Sequence, residues 1–131
     1  HGRLLLLDGA HNPPAAAALA RELQVMGGSG GGRRWLLGIQ RHKQAAEMLA
    51  ALLGPADRAR IVPIPDHRCW DAASLAAALP QLASQLEPGR EGQDGLEDDL
   101  AWLTAAEGPL PVVAGSLHLL GHLIPWLDPE P

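Results

Sequence analysis

The stretch that most constrains the fold is LLLLDGAHNPPAAAALA, residues 4–20, in which an apolar run stops abruptly and an alanine-rich run begins. Four consecutive leucines, Leu4 to Leu7, predict a short strand that is buried on both faces, as in parallel sheets. Asn12 suits a helix N-cap and Pro13 the first helical position, so the segment from Pro13 to Met26 predicts a helix. The stretch is therefore a strand–turn–helix unit, the building block of an α/β protein.

The same alternation continues along the chain. Further strands are predicted at Arg34 to Ile39, Ala59 to Ile64 and Leu110 to Gly115, and further helices at Lys43 to Leu53, Asp71 to Leu86, Leu96 to Ala106 and Ser116 to Leu127. Pro80 should kink or split the third helix, and Pro63 should end the third strand or mark a sheet edge. Gly27 to Gly32 and Glu87 to Gly95 are predicted as loops. We therefore expect a three-layer α/β/α sandwich with a Rossmann-like, mainly parallel sheet.

Length, charge and cysteine content narrow the class of protein. The 131 residues correspond to one domain. The formal net charge of −5, without a stripe of Lys and Arg, argues against binding to nucleic acid or to an anionic membrane. The only cysteine, Cys69, cannot form an internal disulfide, which suits a reducing, cytoplasmic setting. No apolar run approaches the roughly 20 residues of a membrane span, and the start at His1 instead of Met predicts a piece of a longer protein.

Asp8 and His11 stand at the break between the first strand and the first helix. Ligands of open α/β sheets bind beyond the carboxyl ends of the strands, and a helix N-terminus offers free N–H groups and a positive dipole end. Asp8 could accept hydrogen bonds from a ribose or another polyol, and His11 could reach a phosphate or a carboxylate. The alternative is structural, in which Asp8 caps a turn and His11 is only exposed.

Three motifs in the chain occur in the order found in a known enzyme group. They are LLLDGAHNP at residues 5–13, LLGIQRHK at residues 36–43 and AGSLHLLG at residues 114–121. The first and last resemble the two signatures of folylpolyglutamate synthase and dihydrofolate synthase, which belong to the Mur ligase family. The middle one is similar to a strand of these enzymes that ends in a loop with a lysine. The resemblance covers residues 1–131 and implies the C-terminal, glutamate ligase domain of that family.

The resemblance implies an ATP-dependent ligase that works with two domains. An N-terminal P-loop domain, absent from this chain, would hold ATP and Mg²⁺ and phosphorylate a carboxylate of a folate or of dihydropteroate. The amine of L-glutamate would then attack the acyl phosphate to form an amide. The resemblance implies nucleotide contacts from Asp8 and Asn12, glutamate contacts from His11 and Ser116, and catalytic roles for His11 and Lys43. It implies no metal ligand in these residues and a monomeric enzyme.

The chain also departs from that pattern. It contains no G-x-x-x-x-G-K-[ST] phosphate loop, so these residues alone are expected to catalyse no reaction. The usual strand before the fourth helix is not recognisable in Glu87 to Gly95, and His118 replaces the usual aromatic residue of the second signature. A second function therefore stays open: a stand-alone, non-catalytic module that binds a nucleotide or another anion.

Two further groups of side chains suggest other kinds of site, a zinc site and a reactive cysteine. His118 and His122 are four residues apart on one predicted helix, a spacing that can bind zinc, although packing or a surface position is the simpler interpretation. Asp66, His67 and Cys69 follow the third strand and could form a reactive Cys–His pair. Cys69 is more simply interpreted as a small apolar packing residue.

The remaining notable residues are interpreted as structural. Arg33 and Arg34 are expected to form a solvated entrance to the second strand. The four Trp residues are spread along the chain, which indicates packing in the core or at a domain interface and not a surface for base stacking. Because Phe and Tyr are absent, Leu, Ala, Val and Trp must build the core.

Overall fold

A computed structural model describes residues 5–26, 32–90, 95–105 and 107–127. Its strands are β1 (Leu6–Leu7), β2 (Arg34–Leu37), β3 (Arg58–Ile61), β4 (Leu86–Pro88) and β5 (Val112–Ala114). Its helices are α1 (Pro13–Met26), α2 (Ala45–Leu52), α3 (Ala72–Ala78), α4 (Gly95–Ala105) and α5 (Leu117–Leu127), and a 3₁₀ segment, Pro80–Gln85, follows α3. No helix in the described ranges is both long and apolar enough to span a membrane. Except for Gly32, the expected loop at Gly27 to Gly32 lies outside the described residues.

The described strands form one parallel sheet in the order β1-β5-β2-β3-β4. The chain steps from β1 to β2, β3 and β4 in one direction and then returns to insert β5 between β1 and β2. Because such crossovers are right-handed, the helices of the forward steps cover one face and the helix of the return step covers the other. The expectation of a Rossmann-like, parallel α/β sheet is confirmed.

Alternate residues of the central strand β2 point to opposite faces, and each face has its own core. Trp35 and Leu37 pack with the buried side chains of α1, α2 and α3. Leu36, between them, packs with α4 and α5, and Val113 of β5 joins this second core. Each of these fully buried side chains contributes about 1.5–3 kcal/mol relative to an exposed one. Both faces of the sheet are therefore covered, which gives the expected three layers.

The segment after α3 contains a break that the sequence predicts and a strand that it does not. Pro80 ends the predicted helix early, because proline lacks the N–H and clashes with the preceding turn, and the 3₁₀ segment follows. Leu86–Pro88, expected to end the helix and begin a loop, instead forms β4 and pairs in parallel with β3. This edge strand has three residues and ends in proline, so it shows no apolar alternation.

Charged side chains fasten β4 to the rest of the sheet. Glu87 accepts hydrogen bonds from Arg60 at 2.8 Å and from Arg58 at 3.2 Å, both on β3. Arg60 also donates to Asp99 of α4 at 3.0 Å, and the Asp99 side chain is only 3% exposed. Partial burial raises the pKa of Glu87, but the hydrogen bonds from Arg60 and Arg58 outweigh it, so the pKa lies below its usual range. The network joins β3, β4 and α4.

Arg33 and Arg34 do not form a solvated strand entrance, so that expectation is wrong. Arg33 is buried, and its guanidinium donates to the backbone carbonyl of Leu110. Desolvation lowers the pKa of Arg33, an effect that the charge of Asp57 partly opposes. Arg34 donates to the carbonyl of Trp102 and lies 4.9 Å from the centre of its ring. Both side chains therefore tie β2 to segments that are distant in the sequence.

Candidate functional site

The carboxyl ends of β1, β5 and β2 meet at one edge of the sheet, where the connections diverge. The chain leaves β1 for α1 on one face, leaves β5 for α5 on the other, and leaves β2 for α2 on the first face. Such a divergence opens a crevice between neighbouring strands, where open α/β sheets bind ligands. The loops after β1, β2 and β5 therefore surround one candidate site.

A cleft of about 230 Å³ lies in this crevice. The side chains and backbone that line it come from all three loops: His11, Gln40, Lys43, Gly115, Ser116, Leu117 and His118. Three residues that the sequence singled out, His11, Lys43 and Ser116, are thus brought together. We call this space the three-loop cleft.

The imidazole of His11 is held in one orientation by the turn after β1. Its Nδ1 lies 2.9 Å from the carbonyl oxygen of Gly9. Because a carbonyl oxygen can only accept, Nδ1 carries the hydrogen and donates it. In the neutral ring, Nε2 then has a lone pair and can accept a proton. His11 is half-buried, so it is neither the freely exposed residue of the structural alternative nor a core side chain.

Ser116 is fixed between β5 and α5 and is only 3% exposed. Its Oγ accepts the backbone N–H of His118 at 3.0 Å and so caps the first turn of α5. The hydroxyl hydrogen has no acceptor among the described residues, so it can be donated to a bound group. Gly115 makes this turn possible, since its φ of +111° favours glycine and an added Cβ would lie 2.4 Å from the carbonyl oxygen of Gly38.

Lys43 closes a tight turn after β2. Its N–H donates to the carbonyl of Gln40 at 3.0 Å, and its carbonyl accepts the indole N–H of Trp70 at 3.2 Å. Helix α2 begins at Ala45, so Lys43 lies in the loop and not, as expected, at the start of the helix. Among the described residues, its ammonium group has no carboxylate within 4.0 Å. The three-loop cleft therefore contains a half-buried, unneutralised cation.

Asp8 and Asn12 do not line the three-loop cleft, and both side chains have structural partners. One carboxylate oxygen of Asp8 accepts the N–H of Ala10 at 2.8 Å, which is the turn contact of the structural alternative. The Asn12 side chain accepts the N–H of Ala15 at 2.9 Å and so caps α1, as expected. Their contacts with a nucleotide stay a prediction.

The start of α1 does not offer the free N–H groups that we expected. Its first two residues, Pro13 and Pro14, have no N–H to donate. The next two N–H groups, of Ala15 and Ala16, are bound by the side chain and the carbonyl of Asn12. An anion in the crevice must therefore be bound by side chains or by another loop.

Sequence reasoning missed several residues that line the three-loop cleft. Gln40 directly follows the LLGI run, residues 36–39, that begins in β2, so the rule that sites lie at carboxyl ends of strands could have identified it. For His118 the sequence suggests a zinc ligand or, more simply, a packing or surface position, but not a place in a cleft; its ring packs against that of His67, with the ring centres 4.4 Å apart. Leu117 gave no signal, because an exposed leucine at a helix start is common.

The structure places the remaining candidates, His122 and Cys69, outside the three-loop cleft. His122 lines a larger hollow of about 550 Å³, beyond the carboxyl ends of β3 and β4, and not the three-loop cleft. Cys69 also borders that hollow, is half-buried, and accepts the N–H of Ile64 at 3.3 Å. It packs against the core on the α4 and α5 side. The structure thus gives Cys69 the packing role.

Comparison with known proteins identifies the family. The sequence profile of the dihydrofolate synthetase C-terminal domain matches residues 2–126. No curated protein sequence matches the chain. A folylpolyglutamate synthase from Thermotoga maritima superposes with a TM-score of 0.70 and 29% identity, over 93% of this chain and 27% of that one.

Two further solved structures extend this likeness. A bifunctional folylpolyglutamate synthase/dihydrofolate synthase from Yersinia pestis, complexed with AMPPNP and a Mn ion, has a TM-score of 0.70 and 27% identity over 93% of this chain and 28% of its own. A folylpolyglutamate synthase from Mycobacterium tuberculosis, complexed with ADP and AMPPCP, shares the fold with a TM-score of 0.71 and 22% identity. The superposition covers 95% of this chain and 29% of that one. This chain therefore spans less than a third of these structures. Since the profile covers nearly all of the sequence, the chain belongs to the dihydrofolate synthetase C-terminal domain family.

Proposed function

We propose that these residues form the C-terminal domain of an ATP-dependent ligase that joins L-glutamate to a folate or to dihydropteroate. The observation that carries the proposal is the three-loop cleft, which combines the imidazole of His11, the ammonium of Lys43 and the hydroxyl of Ser116. These groups supply the hydrogen bonds and the positive charge that carboxylates and phosphoryl groups require. Membership of the family, and the nucleotides bound to similar structures, support ATP as a substrate.

The proposed reaction passes through an acyl phosphate. Phosphoryl transfer from ATP converts the acceptor carboxylate into a leaving group, and the amine of L-glutamate then displaces phosphate to form the amide. Lys43 stabilises the negative charge that grows on the phosphoryl oxygens. His11 takes the proton that the attacking amine releases, at Nε2, because Nδ1 is engaged with Gly9. Ser116 donates its hydroxyl hydrogen to a carboxylate of the incoming glutamate.

We assign the nucleotide contacts to Asp8 and Asn12. One oxygen of each side chain already accepts a backbone N–H, so the second carboxylate oxygen of Asp8 and the amide nitrogen of Asn12 are the atoms assigned. The described residues contain no group of three or more His, Cys, Asp or Glu side chains that fits a metal ion. From the family resemblance, we assign magnesium, which neutralises transferred phosphates, to the proposed N-terminal domain.

The test is the steady-state kinetics of glutamate-dependent ADP release by the full-length protein, with dihydropteroate or a folate as acceptor. His11→Ala should lower kcat about a hundredfold, because it removes a group that acts only during reaction. His122→Ala is the matched control, since this exposed histidine lies outside the three-loop cleft. Its kcat and KM should equal those of the wild-type protein.

Ser116→Ala should mainly raise the KM for glutamate, because the proposed contact exists before and during the reaction. The variant also loses the N-cap of α5, so a second variant is needed to control for the loss of protein stability. Ser74→Ala removes a comparable contact at the start of α3, where the Ser74 hydroxyl accepts the N–H of Asp71 at 3.0 Å. If the wild-type protein binds nucleotide but releases no ADP with any of these acceptors, the ligase proposal is wrong and the non-catalytic module becomes the better interpretation.

A further inference from the structure

The larger hollow, of about 550 Å³, lies beyond the carboxyl ends of β3 and β4 and is separate from the three-loop cleft. No described residue lines both spaces. The volume is that of a site for a small organic ligand, and such sites are mostly apolar with a few polar groups. Most of the walls are apolar: Pro63, Pro65, Trp70, Pro88, Leu96 and Leu119. We call this space the proline-walled hollow.

Asp99 of α4 is the buried polar residue among the described residues that line the proline-walled hollow. Its side chain is 3% exposed. One carboxylate oxygen, Oδ1, accepts hydrogen bonds from the guanidinium of Arg60 and from the backbone N–H of Arg90, each at 3.0 Å. The other oxygen, Oδ2, accepts no hydrogen bond within the described part of the chain.

The free oxygen of Asp99 is accessible from the proline-walled hollow. In the described ranges, every fully buried nitrogen or oxygen atom of a side chain has a hydrogen-bond partner. Because Oδ2 of Asp99 has none, it is not fully buried, and the space next to this side chain is the hollow that it lines. A nearly desolvated carboxylate oxygen without a donor costs free energy, which a bound donor group recovers.

The walls of the proline-walled hollow favour a flat ligand. Three proline rings and the indole of Trp70 present flat apolar faces, against which a planar ring packs well. Gly89 keeps the approach to the free oxygen open, because a Cβ at this position would lie 2.9 Å from Oδ2 of Asp99 and 2.6 Å from Val62. The edge of a planar ring can therefore reach Oδ2.

The rim of the proline-walled hollow carries a positive charge. The Arg90 side chain is 70% exposed, and its distance to the carboxylate of Asp98 is 3.6 Å, so this pairing is weak. Asp71 also lines the hollow, but its carboxylate accepts the N–H of Ser74 at 2.7 Å and caps α3. A ligand with a donor group inside the hollow and an anionic group outside therefore matches both ends of the site.

We propose that the proline-walled hollow binds a planar nitrogen heterocycle that carries an amino group and an anionic substituent. The amino group donates to Oδ2 of Asp99, the ring packs against the prolines and Trp70, and the anionic substituent reaches Arg90. Adenine nucleotides and pteridine carboxylates share this chemistry. The inference does not rest on the proposed function, because the ligase chemistry uses the three-loop cleft.

The first experiment titrates this 131-residue chain with AMP and with purine riboside 5′-monophosphate, which lacks only the amino group, and follows the backbone amide signals by NMR. AMP should bind at least about tenfold more tightly, as expected for a hydrogen bond to a charged acceptor. The amide signals of Gly89, Arg90 and Asp99 should shift, and those of residues 115–118 should not. Pterin-6-carboxylate is the second arm, and the tighter of the two amino ligands identifies the source.

Asp99→Asn tests the acceptor. The two N–H groups at Oδ1 require an acceptor, so the new amide nitrogen takes the place of Oδ2 and presents a donor to the ligand's amino group. The preference for AMP over purine riboside 5′-monophosphate should disappear, and the affinity for pterin-6-carboxylate should fall at least about tenfold. Asp98→Asn removes the same charge from an exposed neighbour and should preserve both the preference and this affinity.

Leu96→Trp tests the hollow without removing the buried charge. Leu96 is half-buried at the start of α4, and the larger ring should fill the hollow and abolish binding of both amino ligands. Ala101→Trp, at an exposed position of the same helix, should bind them as the wild-type chain does. The amide spectrum of each variant shows whether it is folded.

Three results would overturn the proposal. The first is that neither AMP nor pterin-6-carboxylate binds to the wild-type chain. The second is that AMP and its analogue without the amino group bind equally, while pterin-6-carboxylate binds equally to Asp99→Asn and Asp98→Asn. The third is that Leu96→Trp, folded, binds the amino ligands as tightly as Ala101→Trp, because the ligand would then lie outside the hollow.

Discussion

At the scale of single residues, the carboxylate of Asp99 is the buried charge whose partners are best defined. It accepts hydrogen bonds from the guanidinium of Arg60 and from the backbone N–H of Arg90, each at 3.0 Å. Asp99→Asn keeps the shape but removes the charge, so the free energy of unfolding should fall by about 1.5–3 kcal/mol. Urea denaturation of the chain measures this change.

Asp98→Asn provides the matched control for that prediction. Asp98 is the neighbouring residue on α4, its side chain is 53% exposed, and its pairing with Arg90 spans 3.6 Å. An exposed pair of this kind contributes less than about 1 kcal/mol, so this variant should unfold at nearly the wild-type urea concentration. Equal losses in the two variants would show that burial of Asp99 does not matter.

Two glycines of the β5–α5 region should respond to alanine in opposite directions. Gly115→Ala must place a Cβ 2.4 Å from the carbonyl oxygen of Gly38, and the backbone φ of +111° is unfavourable for alanine. We therefore expect the free energy of unfolding to fall by more than about 2 kcal/mol. A Cβ added at Gly121, within α5, would meet no atom within 4 Å, and Gly121→Ala should gain about 0.5–1 kcal/mol. Thermal unfolding of both variants checks the signs, and a stable Gly115→Ala would contradict the packing of this turn.

The location of some residues in the cleft could be predicted, because it follows from their position in the sequence. His11 and Ser116 both follow an apolar run and precede a helix, which places them at the carboxyl edge of a parallel sheet. The contacts of Arg33 and Arg34 could not be predicted in this way. Their partners, the carbonyls of Leu110 and Trp102, come close only after the whole sheet has formed, so no local pattern reports them.

At the scale of secondary-structure elements, ion pairs between Glu87 and two arginines of β3 help to hold β4 in the sheet. The pKa of Glu87 is lowered in the folded chain, where hydrogen bonds from Arg60 and Arg58 outweigh the effect of burial. A carboxylate with a lowered pKa stabilises the fold fully above its unfolded pKa, near 4.5, and loses this contribution as the pH falls through the folded value. Glu87→Gln should therefore cost up to about 1 kcal/mol at pH 7.

The pH dependence of unfolding tests whether the Glu87 carboxylate stabilises the fold through its charge. The difference in stability between the wild-type chain and Glu87→Gln should be constant from pH 7 to about pH 5 and should shrink toward zero as the pH falls further. Glu97→Gln removes the same charge from the first turn of α4, where the described residues show no ion pair to β3, and is the control for the loss of one negative charge. A difference that persists unchanged at pH 3 would mean that Glu87 acts by packing and not by charge.

Strand β4 also shows which kind of strand cannot be predicted from the sequence. The runs of β2 and β5 are apolar and are buried on both faces, so they are recognisable from composition alone. Leu86–Pro88 contains one apolar residue, one acid and one proline, and its pairing with β3 is supported by Glu87 meeting two arginines of that strand. That support comes from a neighbour 27 residues away, so β4 cannot be identified from its own residues.

At the scale of the whole molecule, the topology explains why the three-loop cleft lies where it does. Returning the chain after β4 to insert β5 between β1 and β2 makes adjacent strands send their helices to opposite faces. The sequence predicts alternating strands and helices but not the order of strands in the sheet, because every order has the same alternation. The juxtaposition of His11, Lys43 and Ser116 is therefore a product of this insertion.

The last prediction concerns what these 131 residues can do by themselves. They contain no phosphate loop, and their described part has no group of three or more His, Cys, Asp or Glu side chains that could hold a metal ion, whereas the three-loop cleft supplies donors and positive charge for an anion. Phosphoryl transfer needs the metal and the loop to position and neutralise the phosphates, but binding of a carboxylate does not. We therefore expect the purified chain to bind L-glutamate weakly by calorimetry and to release no ADP from ATP, with or without an acceptor. Glutamate-dependent ADP release by the chain alone would show that the machinery for phosphoryl transfer lies within it.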